Sequence, residues 1–217
     1  MELILDASSD SAMVGLAQQG TLIWESGSLE AQQHTRQLLP TIQRALCETS
    51  MSLEGLKLVV VALGPGPFNG LRVAVATAKG IAAGTEVSLV GIETMRAEAY
   101  RCPPALGTVR PILRAGRSGY STTLFKWQDL SWQQVEDVSY IDSASLETIT
   151  DGSVPLCGLW PPCTPESGAQ DARPSRLQSL AAIGWQDFQV GNTVTAAALQ
   201  PIYLRPPHIT TPRDRRP

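Results

Sequence analysis

Asp6 is the residue in this sequence best placed to do chemistry. It closes the short apolar run Glu2–Leu5. A carboxylate at the end of a buried strand is where hydrolases and phosphotransferases of mixed α/β build hold a divalent cation. That role asks for a second acid in register and for a glycine that lets backbone approach a phosphate. Asp10 stands in no recognisable metal spacing, and the turn after Asp6 reads Ala7-Ser8-Ser9, without glycine. The pattern therefore predicts that Asp6 caps its own turn through local backbone hydrogen bonds. No Gly-x-Ser-x-Gly elbow and no His-x-x-x-His pair occurs. Cys47, Cys102, Cys157 and Cys163 form no Cys-x-x-Cys pair, and only His34 and His208 could join them. That is a poor zinc set, and it reads as thiols in a reducing compartment. Neither a metal nor a cofactor is expected.

The elements around Asp6 are organised by the stretch Gly64–Ala83. Leu56–Leu63 is an apolar, β-branched run of the kind that forms a strand buried on both faces. Gly64-Pro65-Gly66-Pro67 breaks it, and a helix follows, with Asn69 as its expected N-cap and Gly84 as its terminating glycine. Only Arg72, Thr77 and Lys79 interrupt a wall of small and aliphatic residues. Such a helix must be covered on more than one side, either by its own domain or by a second protein. It is too short, and carries two cations, for a membrane span. The turn is not a phosphate cradle, because Pro65 and Pro67 remove two of the backbone donors that a cradle needs.

The rest of the chain frames this unit. With 43% hydrophobic and 17% charged residues, the 217-residue chain is globular, long enough for one domain or two small lobes. A net charge of −3 argues against strong nucleic-acid binding by the chain alone. No signal segment or membrane-length run is seen, so a cytoplasmic location is expected. Ala12–Ala17 and Leu22–Glu25 read as strands that complete a meander with Glu2–Leu5. Ala31–Glu48 reads as a helix that kinks or restarts at Pro40. Val87–Gly91 is the next strand and Ile92–Arg101 the next helix, ending at Cys102-Pro103-Pro104. In the second half, Val109–Arg114, Gly119–Phe125, Gln134–Ile141 and Leu156–Trp160 read as strands. Ser145–Thr150, Leu177–Phe188 and Val194–Leu199 read as helical, and Pro161–Pro174 as a surface loop.

Five pieces resemble one family: Ile4-Leu5-Asp6-Ala7-Ser8-Ser9, Gln33–Pro40, Gly64–Arg72, Lys79-Gly80-Ile81-Ala82 and Pro201–Arg205. They are similar to TsaB, also called YeaZ, the non-catalytic partner in bacterial synthesis of threonylcarbamoyladenosine at position 37 of tRNA. The resemblance covers the first hundred residues well and the second half thinly. It implies an α/β, actin-like ATPase (ASKHA) fold of two RNase H-like lobes, with mixed sheets flanked by helices. Residues 1–102 would be the N-terminal lobe carrying the partner-binding helices, 103–205 a remodelled C-terminal lobe, and 206–217 a loose tail.

By the same resemblance the chain is not an enzyme. It binds and activates the catalytic paralogue TsaD, which uses a His-x-x-x-His metal motif absent here, on tRNAs reading codons that start with adenine. A TsaE-like ATPase joins the complex, tRNA is met only through it, and a homodimer through the same two helices is the related state. The residues assigned to partner binding are His34, Leu38, Leu39, Ile42, Phe68, Leu71, Arg72, Val75 and Lys79. The competing reading is a kinase-like or peptidase-like enzyme of the same fold acting alone. It is opposed by the missing loop glycine and acid pair. Where the family has Asp-Ala-Arg this chain has Arg114-Ala115-Gly116, and no residue of the second half is carried over as functional.

Overall fold

The structure, a computed structural model, describes residues 1–26, 29–30, 34–116, 119–149, 152–158 and 174–204. Of Leu29, Glu30, His34, Thr35 and Glu147 it describes the backbone only. Residues 161–173 of the loop expected over Pro161–Pro174, Arg205, His208 and the tail 206–217 lie outside the described residues, Cys163 among them.

Two mixed sheets carry the fold. The first contains β1 (Glu2–Asp6), β2 (Ser11–Gln18), β3 (Thr21–Glu25), β4 (Leu29–Glu30), β5 (Leu58–Gly64) and β6 (Ser88–Glu93). Its order is β3-β2-β1-β5-β6, with β4 on the end of β2. The first three strands run antiparallel as a meander, whereas β1, β5 and β6 are parallel. Alternation along the central strands decides the layers. Leu3, Leu5, Val59 and Val61 point to one face and share a core with α1 (His34–Glu48) and α2 (Phe68–Gly84). Ile4, Leu58, Val60 and Ala62 point to the other and meet α5 (Arg176–Gln189). A strand apolar on every residue thus has helices on both sides, as parallel strands require.

The second sheet contains β7 (Thr108–Arg114), β8 (Gly119–Thr122), β9 (Phe125–Gln128), β10 (Ser131–Gln134), β11 (Ser139–Asp142) and β12 (Leu156–Gly158). Its order is β10-β9-β7-β8-β11, with β12 parallel to β7. The helix α3 (Thr94–Ala99) joins the sheets: Ala97 belongs to the core of the first, while Met95 and Ala99 pack with Val109, Leu113, Phe125 and Trp132 of the second. The division expected at residue 102 falls between α3 and β7, and α5 returns to the first sheet. Its start is fixed by a capping box between Ser175 and Gln178. The short helix α4 (Ser143–Ile149) lies beside β11 and β8.

Several local expectations are corrected. The run Gly119–Phe125 is two strands, and the hairpin formed by β9 and β10 turns on Asp129-Leu130, both at positive φ (50° and 60°). That turn geometry is usually announced by Asn-Gly, so Asp-Leu gave no signal. The helix α1 runs through Pro40 without restarting. Asn69 lies inside α2, whose N-cap is Pro67, and the helix end is closed by Thr85 Oγ1 donating to the Ile81 carbonyl at 2.7 Å rather than by Gly84 in a left-handed conformation. Val194–Leu199 is not a helix. Val194 bridges Leu89 at the sheet edge, and a turn follows in which Leu199 N donates to Thr195 O.

Candidate docking surface

The turn Gly64–Pro67 sets where α2 starts. A Cβ on Gly66 would lie 2.5 Å from the Ser8 carbonyl oxygen, and one on Gly64, at φ 113°, would lie 2.7 Å from the Ile202 carbonyl oxygen. Only glycine lets the turn sit this close to the β1–β2 loop on one side and to the returning chain on the other. Ile202 N donates to Leu63 O at 2.8 Å and holds that chain in place. Tyr203 then stacks on Phe68 with ring centroids 4.7 Å apart. Arg72 lies over the same Phe68 ring at 3.9 Å, and its Nε donates to the Tyr203 hydroxyl at 3.2 Å. These three residues form an aromatic and cationic knob at the head of α2.

The nine residues expected at a partner surface divide sharply. Leu38, Ile42, Leu71 and Val75 are at most 4% exposed and belong to the chain's own core beneath the helices. They are corrected from surface to core. In a helix apolar nearly all round, the periodicity does not say which side the sheet takes. Leu39 is 57% exposed, Arg72 is exposed, and Phe68 and Lys79 are half-buried. His34 is the first residue of α1. Both helices therefore reach the outside. Pro40, Gln43 and Cys47 are exposed on α1 near Leu39, and Asn69, Arg72, Ala76, Gly80 and Ala83 form the outer stripe of α2. That stripe is low and weakly polar, because Ala76, Gly80 and Ala83 have no side chain long enough to cover the helix backbone. The far flank of α1 is closed off by Trp24, which donates its indole N–H to Glu48 at 2.7 Å.

Beneath the turn lies a cluster that the spacing of the sequence did not reveal. Asp6 Oδ1 accepts from Ser8 N (3.0 Å) and Ser8 Oγ (2.6 Å), which is the turn-capping role expected of it. Its second oxygen accepts from Arg176 Nε at 2.6 Å. The Arg176 Nη1 also donates to Glu98 Oε1 at 2.9 Å, and Arg101 Nη1 donates to Glu98 Oε2 at 2.8 Å. Asp6, Glu98 and Arg176 are 0%, 1% and 6% exposed. Burial opposes the charge on Arg176, but attraction from Asp6 and Glu98 outweighs it and holds the guanidinium more firmly protonated than usual. Glu98 and Arg176 lie 92 and 170 residues from Asp6 in the chain, so no local pattern could pair them. Among the described residues no three His, Cys, Asp or Glu side chains gather as metal ligands.

Comparisons with known proteins agree with this architecture. The family model described as TsaD, tRNA N6-adenosine threonylcarbamoyltransferase, matches residues 28–147. The tRNA threonylcarbamoyladenosine biosynthesis protein TsaB of Escherichia coli is 25% identical over 225 residues, covering 94% of both chains. TsaB of Bacillus subtilis is 25% identical over 158 residues, 72% of this chain and 69% of that one. A tRNA N6-adenosine threonylcarbamoyltransferase of Chlamydia trachomatis is 28% identical over 144 residues, 59% of this chain and 43% of that one. The solved structure of YeaZ from Pseudomonas aeruginosa superposes with a TM-score of 0.73 at 18% identity, covering 94% of this chain and 99% of that one. A second structure from that organism, described as similar to peptidase YEAZ, gives 0.74.

Fold and neighbours together define an α/β protein with two mixed sheets flanked by helices, the fold of the YeaZ structures. Within that class the chain belongs to the TsaB/YeaZ family, the tRNA threonylcarbamoyladenosine biosynthesis proteins matched along nearly its whole length.

Proposed function

We propose that this chain serves threonylcarbamoyladenosine formation on tRNA as a non-catalytic subunit whose α1–α2 face binds and activates a TsaD-like transferase. The observation that carries the reading is that both helices leave small or aliphatic residues exposed, Leu39 on α1 and Ala76, Gly80 and Ala83 on α2. Small residues let a neighbouring helix approach closely, and the aliphatic Leu39 gives it a knob to enclose. The threonylcarbamoyltransferase family model spans residues 28–147, and so includes both helices. A catalytic relative built on the same two-helix unit can meet this face as a second copy would, in a pseudo-two-fold pairing. A homodimer through the same face is then the competing state of the free protein. A TsaE-like ATPase and tRNA join through the complex, with adenosine 37 of tRNAs reading codons that start with adenine as the target.

Co-expression with the cognate transferase tests this. The two chains are expected to co-elute, and Leu39→Glu or Ala76→Glu is expected to separate them while the variant keeps its unfolding temperature. A pair that stays together with both substitutions contradicts the reading. Charges at Leu38 or Val75 would not serve, because both side chains are core and their loss would unfold the chain. ATP or peptide turnover by the purified chain alone, abolished by Asp6→Asn, would instead favour the enzyme reading.

A further inference from the structure

If α1 and α2 receive the transferase, as proposed above, their charges say what it must bring. The chain as a whole carries a net charge of −3. The two helices have the opposite sign, with Arg36, Arg44, Arg72 and Lys79 against a single acid, Glu48. That acid is already engaged, accepting from the Trp24 indole at 2.7 Å and lying 3.8 Å from Arg44. Arg36, Arg72 and Lys79 form no ion pair with any described residue. A positive pair of helices thus stands on an acidic protein.

Arg72 is the cation that the fold holds ready. Its guanidinium lies 3.9 Å from the centre of the Phe68 ring, on which Tyr203 also stacks. Its Nε donates to the Tyr203 hydroxyl at 3.2 Å, while Nη1 and Nη2 have no acceptor among the described residues. The Nη1–Nη2 edge offers two parallel donors, the geometry that a carboxylate accepts bidentately. A guanidinium held by a ring and a hydroxyl loses less rotamer freedom on binding than a loose one. Other occupants match this charge poorly. The chain's own tail is basic, with Arg213, Arg215 and Arg216 against Asp214. A second copy would bring the same excess of cations to a two-fold contact. Nucleic acid would meet only Arg36, Arg72 and Lys79 as free cations, too few for the many phosphate contacts that give it affinity.

We propose that the α1–α2 face is matched to a protein partner whose docking surface carries carboxylates, one of them seated on the Nη1–Nη2 edge of Arg72, and that its charge holds off a second copy. The partner is then chosen by repulsion as well as by attraction.

Calorimetric titration of the full-length chain with the cognate transferase, at low and at high NaCl, tests the proposal. Wild-type affinity is expected to fall as salt rises. Arg72→Gln is expected to weaken binding at least about tenfold at low salt while the variant stays folded. Arg72→Lys, which keeps the charge and loses the fork, is expected to restore only part of the affinity. Sedimentation of the free chain is expected to show a monomer at low salt. Binding that neither salt nor Arg72→Gln changes overturns the proposal and leaves the docking of the transferase standing, whereas a wild-type chain that does not bind the transferase fails both. A free chain that dimerises more tightly at low salt than at high salt also overturns it. So does tRNA alone binding the free chain in a way that Arg72→Gln abolishes.

Discussion

The turn at Gly64–Pro67 separates two regions that treat their side chains in opposite ways. Below it, Asp6, Glu98, Arg176 and Arg101 are brought together from β1, the α3 region and α5, and their charges are consumed by one another. Above it, the outer stripe of α2 and the neighbouring edge of α1 leave Leu39, Ala76, Gly80 and Ala83 without a covering layer. The acids and arginines of this inner cluster are turned inward and satisfied. The groups facing outward include small and aliphatic residues suited to packing, Leu39, Ala76, Gly80 and Ala83, beside the polar Asn69 and Arg72. A catalytic site has the reverse arrangement, with polar groups left poised in a cleft. The contrast supports the proposal that this chain offers a surface rather than a reaction centre.

The largest effect is expected from breaking the inner region. Arg176→Ala leaves two buried carboxylates without their shared partner and should cost about 3–5 kcal/mol of stability, measured by urea unfolding. If the loss were below about 1 kcal/mol, the cluster would not be the structural anchor described here. The outer region should respond in the other currency. Leu39→Glu or Ala76→Glu is expected to change stability by less than about 0.5 kcal/mol, as exposed substitutions do, while weakening transferase binding by at least about 2 kcal/mol in calorimetry.

Gly80 sharpens the comparison further, because stability and binding should move in opposite directions. A Cβ there meets nothing within 4 Å in the free chain. Gly80→Ala should therefore stabilise α2 by roughly 0.5–1 kcal/mol. In the proposed complex the added methyl would stand where a partner helix approaches, so affinity should fall. Unchanged affinity with raised stability would place the contact elsewhere on α2.

The smallest effect concerns a carboxylate that caps like Asp6 but in water. Ser145 N donates to Asp142 Oδ1 at 2.8 Å at the start of α4, and this bond holds the Asp142 carboxyl below its usual range. Its contribution is fully present above the ordinary carboxylate pKa and is lost as pH falls through the lowered folded value. Amide protection over Ser143–Ile149, referenced to unstructured exchange rates, should weaken only at that acidic end. Asp142→Asn should blunt the change.

The parts legible in the sequence were those written locally. The apolar runs Glu2–Leu5 and Leu56–Leu63 announced strands, the second of them covered on both faces, and Val59 and Val60 do point to opposite helical layers. The glycine-proline turn was legible too, since proline and glycine act through their own backbone. Sidedness was not. The helix α2 is apolar nearly all round, so Leu71 and Val75 looked as able to face a partner as Ala76, and only the sheet beneath decides between them. The Arg176 partnership was illegible for a different reason: an ion pair across the chain leaves no spacing to read, although Asp6 already stood out as an acid in need of a role. Tyr203 likewise appeared only as part of a terminal motif, and its stacking on Phe68 follows from how the chain returns across β5.

The central claim is that the outward face of α1 and α2 exists to receive another protein. Its most direct measurement is calorimetric titration of the purified chain with the cognate threonylcarbamoyltransferase, wild type against Ala76→Glu. Saturable binding to the wild type that drops at least about thirtyfold in the variant, with unfolding temperatures unchanged, is the result expected. Equal affinity for both proteins, or no binding to either, contradicts the account.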